Sequence, residues 1–269
     1  MERDNPIREG GPRVAIVTGG AVRVGRAVSR RLAADGYRVV IHHHSSADKA
    51  RSLADEIAAE GRFASPLRLD LTQPGAPRRL IEEVARDLGR IDLLVNSAAL
   101  FVDDTSPIGD LARMKVLNAD VPAALIDAAT PHLAATGGAI VSIADVAGVV
   151  PFTGYKAYSA SKKHVLSLTV RKALELAKLG VRANAVCPGA VLFPDWYPAP
   201  RKARVIEGIP LGRPGSPEDV ADAVAYLAGA RFVTGQVLTV DGGRLLSLID
   251  RDAREDRDLA RSPGDTEVN

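Results

Sequence analysis

The chain of 269 residues contains a single cysteine, Cys187. One thiol cannot form an internal disulfide, so the sequence excludes a disulfide-stabilised scaffold and predicts a reducing, cytoplasmic setting. We expect Cys187, which stands beside Pro188, to be a small buried apolar residue rather than a reactive thiol.

Long hydrophobic runs and an excess of one charge are missing as well. No segment approaches the roughly 18 consecutive apolar residues of a membrane span, and residues 1–12 lack the apolar stretch of a signal peptide. The 35 basic side chains nearly balance the 33 acidic ones, and the net charge of +2 does not indicate nucleic-acid binding. The sequence therefore predicts partners that are neither membranes nor nucleic acids.

Short apolar runs alternate along the chain with segments of helical periodicity. The first helical pattern starts at Val24 and stops at Asp35-Gly36, a typical helix end. Further helices are predicted at 47–60, 76–89, 110–135, 155–179 and 217–229. Strands are predicted at 14–17, 37–42, 65–69, 91–95, 139–143, 181–186 and 236–240. This alternation predicts an α/β fold, a single-domain doubly wound parallel sheet (a Rossmann fold) with helices on both faces.

Three segments do not share this alternation. Residues 1–12 read as a flexible arm before a domain spanning 13–246, and the charged residues 247–269 read as a disordered tail. Residues 190–212 contain four prolines and no clear periodicity. They predict a long functional loop within the domain.

A glycine-containing turn follows the first predicted strand. The sequence Thr18-Gly19-Gly20-Ala21-Val22-Arg23-Val24-Gly25 separates that strand from the first helix. Strand, glycine turn, helix and strand within about 30 residues are typical of a dinucleotide-binding unit, in which the backbone approaches the pyrophosphate at a helix N-terminus. We expect this turn to contact a cofactor through Thr18, Gly19, Arg23, Val24 and Gly25.

Tyr158 and Lys162 stand four residues apart in a predicted helix and so share one helix face. A phenol titrates near pH ~10, and a neighbouring ammonium would lower that pKa and make Tyr158 a usable acid or base. Alone, this spacing is weak evidence, because a solvated tyrosine and lysine produce it by chance. Together with the glycine turn, it indicates proton-transfer chemistry.

The end of the second predicted strand indicates which dinucleotide is bound. Proteins that prefer NAD place a carboxylate there for the ribose 2′-hydroxyl, but here no acid appears before Asp48. A 2′-phosphate could instead be accepted by Arg23 together with His42, His44, Ser45 and Ser46. We therefore predict NADP(H). A metal site is the alternative for the histidines, but adjacent strand residues point to opposite faces, so at most His42 and His44 converge, and no metal is predicted.

Taken together, these motifs resemble the short-chain dehydrogenase/reductase family from about Arg13 to Leu246. The resemblance also rests on Leu69-Asp70-Leu71, Asn96-Ser97-Ala98-Ala99, Asn118, Pro188-Gly189 and Asp241-Gly242-Gly243. It implies that Asp70 and Leu71 lie near the adenine and that Asn118 helps to hold a relay water near Lys162. Further cofactor contacts are implied for Asn96, Ser97, Ala98, Tyr158, Lys162, Pro188, Gly189 and Val191.

Two departures from the family pattern resemble its pteridine reductase branch. The family usually has glycine at the position of Arg23 and serine at the position of Asp145. In that branch a phenylalanine at the position of Phe101 stacks on the pterin ring. The resemblance implies a substrate site formed by Arg23, Phe101, Asp145, Tyr158, Leu192 and Trp196. It also implies a homotetramer, associating through the helices at 110–135 and 155–179 and near the C-terminus.

The expected function is NADPH-dependent reduction of a dihydropterin to a tetrahydropterin, with hydride delivered to a ring C=N bond. An ionised Asp145 cannot donate a hydrogen bond to a carbonyl, but it can accept one from a ring N–H. Two alternatives stay open. One is a carbonyl or 3-oxoacyl reductase of the same family, and the other is a non-catalytic NADP(H)-binding sensor.

Overall fold

The central sheet of the computed structural model, which describes residues 11–193 and 197–249, is parallel throughout. Its strands are β1 (Val14–Val17), β2 (Arg38–His43), β3 (Ala64–Arg68), β4 (Leu93–Asn96), β5 (Ala139–Ile143), β6 (Arg182–Pro188) and β7 (Val237–Val240). Their spatial order is β3-β2-β1-β4-β5-β6-β7. The order reverses between β1 and β4, and ligands of such sheets bind beyond the carboxyl ends of the strands at this point.

Helices cover both faces of the sheet, as predicted. They are α1 (Arg23–Ala34), α2 (Ala47–Ala59), α3 (Ala76–Leu88), α4 (Ile108–Lys115), α5 (Val121–Thr136), α6 (Lys156–Leu176), α7 (Ala199–Glu207) and α8 (Pro217–Gly229). One hydrophobic core packs α1, α2 and α8 against the sheet. A second core on the opposite face involves α3, α5 and α6. The strands between them are therefore buried on both sides, and all four residues of β1 are fully buried.

Local signals place several element ends where the sequence predicts them. Ser216 and Asp219 form a reciprocal capping box at the start of α8, with Pro217 in the first turn. Asp35-Gly36 ends α1, where the Gly36 φ of +85° suits only glycine well. Cys187 is buried on β6, as predicted.

Two predicted elements differ from the structure. The helix predicted at 110–135 is divided into α4 and α5 by a π-helical segment, Val116–Asp120. The segment 190–212, predicted as a loop, contains α7, which starts after Pro198 and has a proline in its first turn. In the part of the chain that the structure describes, no helix is both long and apolar enough to cross a lipid bilayer.

Candidate active site

The glycine turn after β1 brings bare backbone to the floor of a cleft. A Cβ atom on Gly25 would lie 2.2 Å from the Gly19 carbonyl oxygen, and one on Gly19 would lie 3.0 Å from the Ala98 Cα atom. Neither position accepts a side chain. The helix α1 then begins without a side-chain cap from Val22, so the turn and the helix start together fit the phosphate groups of a dinucleotide.

Thr18 holds this turn against the loop that follows β4. Its hydroxyl donates to the Val95 carbonyl at 3.2 Å and accepts from the Ser97 and Ala98 N–H groups at 2.9 and 3.1 Å. These three contacts occupy the Thr18 hydroxyl. The structure therefore gives Thr18 a role in shaping the site.

Arg23 has a left-handed backbone, with φ of +52°, where glycine is the favoured residue. Its side chain is exposed, and its guanidinium lies 3.5 Å from the Leu192 carbonyl oxygen across the cleft. A non-glycine residue in this conformation is strained, and such strain is concentrated at functional sites.

His42 does not occupy the position predicted for a phosphate ligand. It is buried, and its Nδ1 accepts the Gly19 N–H at 3.2 Å while its Nε2 lies 3.0 Å from the Leu69 carbonyl oxygen. Burial lowers the pKa of His42 to about 4. Because both ring nitrogens are engaged with backbone groups, the predicted contact with a 2′-phosphate is replaced by a structural role.

The remaining residues predicted for the 2′-phosphate lie at the end of β2. His44 and Ser45 are exposed, and Ser46 immediately precedes α2. The sequence reasoning missed Arg68, which lies opposite His43 on β3 and donates to the His44 carbonyl at 3.3 Å. The register of two neighbouring parallel strands would have revealed it.

Asp70 follows β3 and closes a tight turn. Its carboxylate accepts hydrogen bonds from the backbone N–H and the hydroxyl of Thr72, at 3.0 and 2.7 Å. Desolvation alone would raise the pKa of Asp70, but the hydrogen bonds from Thr72 outweigh it and hold that pKa at about 2. The next residue, Leu71, is buried in the core.

Asn96 and Asn118 are both buried and act within the protein frame. Asn96 donates to the Ser142 hydroxyl at 3.3 Å on the neighbouring strand. Asn118, in the π-helical segment, accepts from the Leu100 N–H at 2.8 Å and donates to the Leu100 carbonyl at 2.9 Å and to the Ser161 hydroxyl at 3.2 Å. Its amide therefore holds the loop that leads to Phe101 against α6.

Asp145, Tyr158 and Lys162 come together, as their predicted roles require. The Tyr158 hydroxyl donates to Asp145 Oδ2 at 2.9 Å, and the Ala147 N–H donates to Asp145 Oδ1 at 2.8 Å. Lys162 donates to the Ile143 carbonyl at 3.0 Å, and its Nζ lies 5.7 Å from the Tyr158 ring centroid. The three side chains converge because Asp145 follows β5, while α6 carries the other two.

The expected lowering of the Tyr158 pKa by Lys162 is wrong for this arrangement. Burial raises the pKa of Tyr158 well above 10, and the charge and hydrogen bond of Asp145 raise it further. Burial also raises the pKa of Asp145 and lowers that of Lys162. The phenol therefore keeps its proton and presents an acid to the cleft.

Phe101 forms one wall of the site beside two tyrosines. Its ring stacks on Tyr155 with centroids 4.7 Å apart and planes 8° apart, and it meets Tyr158 edge-on at 4.7 Å. Phe101 is nevertheless 42% exposed, so part of the ring remains open to the cleft. The sequence reasoning missed Tyr155, which immediately precedes α6 and stands three residues before Tyr158.

These side chains surround a cleft of about 710 Å³, a size that suits a small molecule. Of the residues predicted for the site, it is lined by Gly19, Arg23, Val24, Gly25, Ser97, Ala98, Phe101, Asp145, Tyr158, Lys162, Pro188, Gly189, Val191 and Leu192. Trp196 lies outside the described residues. Phe152, Arg201 and Arg244 also line the cleft and were missed.

Comparisons with known proteins identify the relatives of this fold and site. A family model described as enoyl-(acyl carrier protein) reductase matches residues 20–244. The 3-oxoacyl-[acyl-carrier-protein] reductase FabG of Staphylococcus aureus is 34% identical over 242 residues, which are 85% of this chain and 96% of the relative. The meso-2,3-butanediol dehydrogenase of Serratia marcescens is 36% identical over 245 residues, 87% of this chain and 95% of that protein.

Solved structures agree with these relatives. Acetoin dehydrogenase YohF from Salmonella typhimurium superposes with a TM-score of 0.79 at 33% identity, over 88% of this chain and 97% of that chain. A blue fluorescent protein from a metagenomic library, solved in complex with NADPH, gives a TM-score of 0.80 at 35% identity, over 86% and 97% of the two chains. The chain therefore belongs to the short-chain dehydrogenase/reductase family of NAD(P)-dependent oxidoreductases.

Proposed function

We propose that this protein is an NADPH-dependent reductase of a flat nitrogen heterocycle of the dihydropterin type. The observation that carries the proposal is the hydrogen bond from Tyr158 to a carboxylate, Asp145, at 2.9 Å. Phe101, which stands beside this pair with a partly open ring, supports a planar substrate.

NADP(H) is the cofactor that the site favours. The glycine turn and the start of α1 would hold its pyrophosphate, and the solved NADPH complex of a relative supports this assignment. Arg68 and Arg51 lie near the end of β2, where both act to lower the pKa of His43. Two cations at this place favour a 2′-phosphate over a 2′-hydroxyl.

Asp145 determines which proton acceptors Tyr158 can serve. When bound, the reduced nicotinamide supplies a hydride, and Tyr158 is placed to supply the proton. Ionised Asp145 opposes formation of a phenolate beside it. A substrate N–H that donates to Asp145 would replace the Tyr158 phenol as its hydrogen-bond donor and offset the carboxylate charge. Tyr158 could then give its proton to a ring nitrogen of the substrate. Buried Lys162 would stabilise the phenolate that remains.

The second candidate is reduction of a carbonyl compound, and the named relatives favour it over the pterin. They are a 3-oxoacyl reductase, a butanediol dehydrogenase and an acetoin dehydrogenase. In this mechanism Asp145 must be protonated in order to donate to the carbonyl oxygen, and burial raises its pKa in that direction. Activity should then fall as pH rises through the Asp145 pKa.

Two substrates and one substitution separate the candidates. NADPH oxidation is measured with dihydrobiopterin and with a β-ketoester, for the parent and for Asp145→Ser. The pterin proposal expects parent turnover of dihydrobiopterin, which Asp145→Ser reduces at least 100-fold in kcat/KM, because a serine hydroxyl has no negative charge with which to accept the substrate N–H. Asp145→Asn, which has almost the same shape, tests whether the negative charge is needed.

The opposite result has a clear meaning. Rapid turnover of the β-ketoester by the parent, with no turnover of dihydrobiopterin, would establish the carbonyl reductase and reject the pterin. Binding of NADPH with no turnover of either compound would support the third alternative, the NADP(H)-binding sensor.

Assembly as a homotetramer is also part of the proposal. The outer face of α6 exposes apolar side chains, with Leu174 78% and Val170 46% exposed, and a helix of a second copy would bury them. Light scattering during size-exclusion chromatography measures the mass of the assembly directly. A monomeric mass would reject the tetramer.

A further inference from the structure

His42 makes three hydrogen bonds that join the glycine turn to two strands. Its backbone carbonyl accepts from the Gly20 N–H at 3.0 Å, its Nδ1 accepts from the Gly19 N–H at 3.2 Å, and its Nε2 donates to the Leu69 carbonyl at 3.0 Å. We propose that His42 is a positioning residue that fixes the phosphate-binding turn for NADP(H). The inference rests on the proposed cofactor.

The partners determine the tautomer of the ring. A backbone N–H can only donate, so Nδ1 carries no proton, and the carbonyl of Leu69 can only accept, so Nε2 carries one. The ring is therefore neutral and bridges a donor on one side to an acceptor on the other. Its burial, with 3% of the residue exposed, keeps water from replacing either contact.

Ser29 supports the turn from α1, since its hydroxyl donates to the Gly20 carbonyl at 3.1 Å, whereas His42 accepts from both the Gly19 and the Gly20 N–H groups. Gly19 has φ of +63°, and its carbonyl oxygen faces the Cα of Gly25 so closely that a Cβ there would lie at 2.2 Å. The contacts of His42 with Gly19 and Gly20 fix two consecutive peptide planes. The N–H groups at the start of α1 are then left to point toward the cofactor phosphates.

The bridge also couples the two ends of a dinucleotide. Leu69, which accepts from His42, immediately precedes Asp70, the residue predicted to lie near the adenine. His42 thus connects the turn predicted for the pyrophosphate with the strand end predicted for the adenine. Loss of the ring should weaken cofactor binding and leave the chemical step unchanged.

The test measures NADPH binding directly, without substrate, by the fluorescence of the bound reduced nicotinamide. His42→Phe keeps a flat buried ring without nitrogens and should raise the Kd for NADPH at least tenfold, with kcat at saturating NADPH within threefold of the parent. His42→Gln offers an amide acceptor and donor with similar spacing and should restore the Kd to within threefold. If His42→Phe does not fold, His42→Asn, which is too short to span both partners, should show the same tenfold loss.

His43→Phe is the matched control, because His43 is buried on the same strand and points to the opposite face. It should leave the Kd within twofold. The inference would be overturned if His42→Phe had the same Kd for NADPH as the parent, or if His43→Phe raised the Kd as much as His42→Phe. In either case, NADPH binding by the parent would still support the proposed cofactor. A parent that does not bind NADPH would overturn both.

Discussion

Arg23 unites a strained backbone with a useful side chain. Its φ of +52° is unfavourable for any residue with a Cβ, at a cost of about 1–2 kcal/mol. Its guanidinium reaches across the cleft toward Leu192, so the same residue borders both the glycine turn and the substrate loop. We infer that the charge is retained here at the expense of local stability.

Substitution of Arg23 by glycine should separate these two effects. Glycine removes the strain of about 1–2 kcal/mol but increases the conformational entropy of the unfolded chain by about 0.4–1 kcal/mol, so the free energy of unfolding should be unchanged or rise by up to about 1.6 kcal/mol. The Kd for NADPH should rise at least tenfold, since a charge-assisted contact is worth about 1.5–3 kcal/mol and about 1.4 kcal/mol corresponds to a factor of ten. Arg23→Lys, which keeps strain and charge, is the control. Chemical denaturation measures the free energy of unfolding, and fluorescence titration measures the Kd for NADPH. A clearly lower stability of Arg23→Gly, or a Kd equal to that of the parent, would contradict the interpretation.

The residues proposed for catalysis show what the sequence predicts at the residue scale and what it does not. The spacing of Tyr158 and Lys162 predicted that they share one helix face, and the family resemblance predicted that Asp145 lies beside Tyr158. The direction of the Tyr158 pKa shift was predicted wrongly, because burial and the Asp145 carboxylate both raise that pKa. The burial of Tyr158 depends on residues such as Phe101 and Tyr155 that pack around its phenol. The spacing of Tyr158 and Lys162 in the sequence does not predict this packing.

At the scale of elements, periodicity located helices but not their irregularities. The π-helical segment Val116–Asp120 contains neither glycine nor proline, so the sequence predicted one uninterrupted helix. The helix α7 has a short, exposed and lysine- and arginine-containing sequence, and only the proline in its first turn marked it. Both segments lie beside the candidate site, and π-helical turns are frequent at functional sites.

Asp104 connects the Phe101 loop to the start of α6, the helix that carries Tyr158 and Lys162. The residue before α6, Tyr155, provides no side-chain cap. Asp104 supplies it from 52 residues away, accepting from the Lys156 and Ala157 N–H groups at 2.9 and 3.1 Å. Its own N–H donates to the Gly154 carbonyl at 2.9 Å. We infer that Asp104 supports the stacking of Phe101 on Tyr155 indirectly, because its hydrogen bonds hold the backbone next to Tyr155.

Removal of this carboxylate should widen the substrate site. Asp104→Ala leaves two helix N–H groups without their cap and should cost about 1 kcal/mol of stability. The KM for the substrate should rise several-fold, since Phe101 is no longer held, while the Kd for NADPH stays at the parental value. Asp110→Ala, which removes an exposed acid from the first turn of α4, is the control. Steady-state kinetics and titration provide the comparison, and an unchanged KM in Asp104→Ala would refute this role.

At the scale of the whole molecule, the fold was predictable because its signals are repeated. Seven short strands with helices between them are sufficient to imply a parallel sheet, and the buried residues of β1 and β4 match that pattern. The partners of individual residues required the strand order, which places β3 beside β2 and thereby brings Arg68 to the end of β2. Long-range contacts of this kind follow from the order of the strands in the sheet and not from residues that are adjacent in the sequence.

The same arrangement predicts how cofactor choice should appear in global stability. A ligand that binds only the folded state at 100 times its Kd stabilises it by about 2.7 kcal/mol, which corresponds to a rise in melting temperature of roughly 5–10 °C for a chain of this size. NADPH should produce this rise. NADH at the same concentration should produce a clearly smaller one, because Arg51 and Arg68 near the end of β2 favour a 2′-phosphate and no carboxylate precedes Asp48 there. Thermal unfolding at one fixed protein concentration measures both shifts, and an equal or larger shift with NADH would reject the NADP(H) assignment.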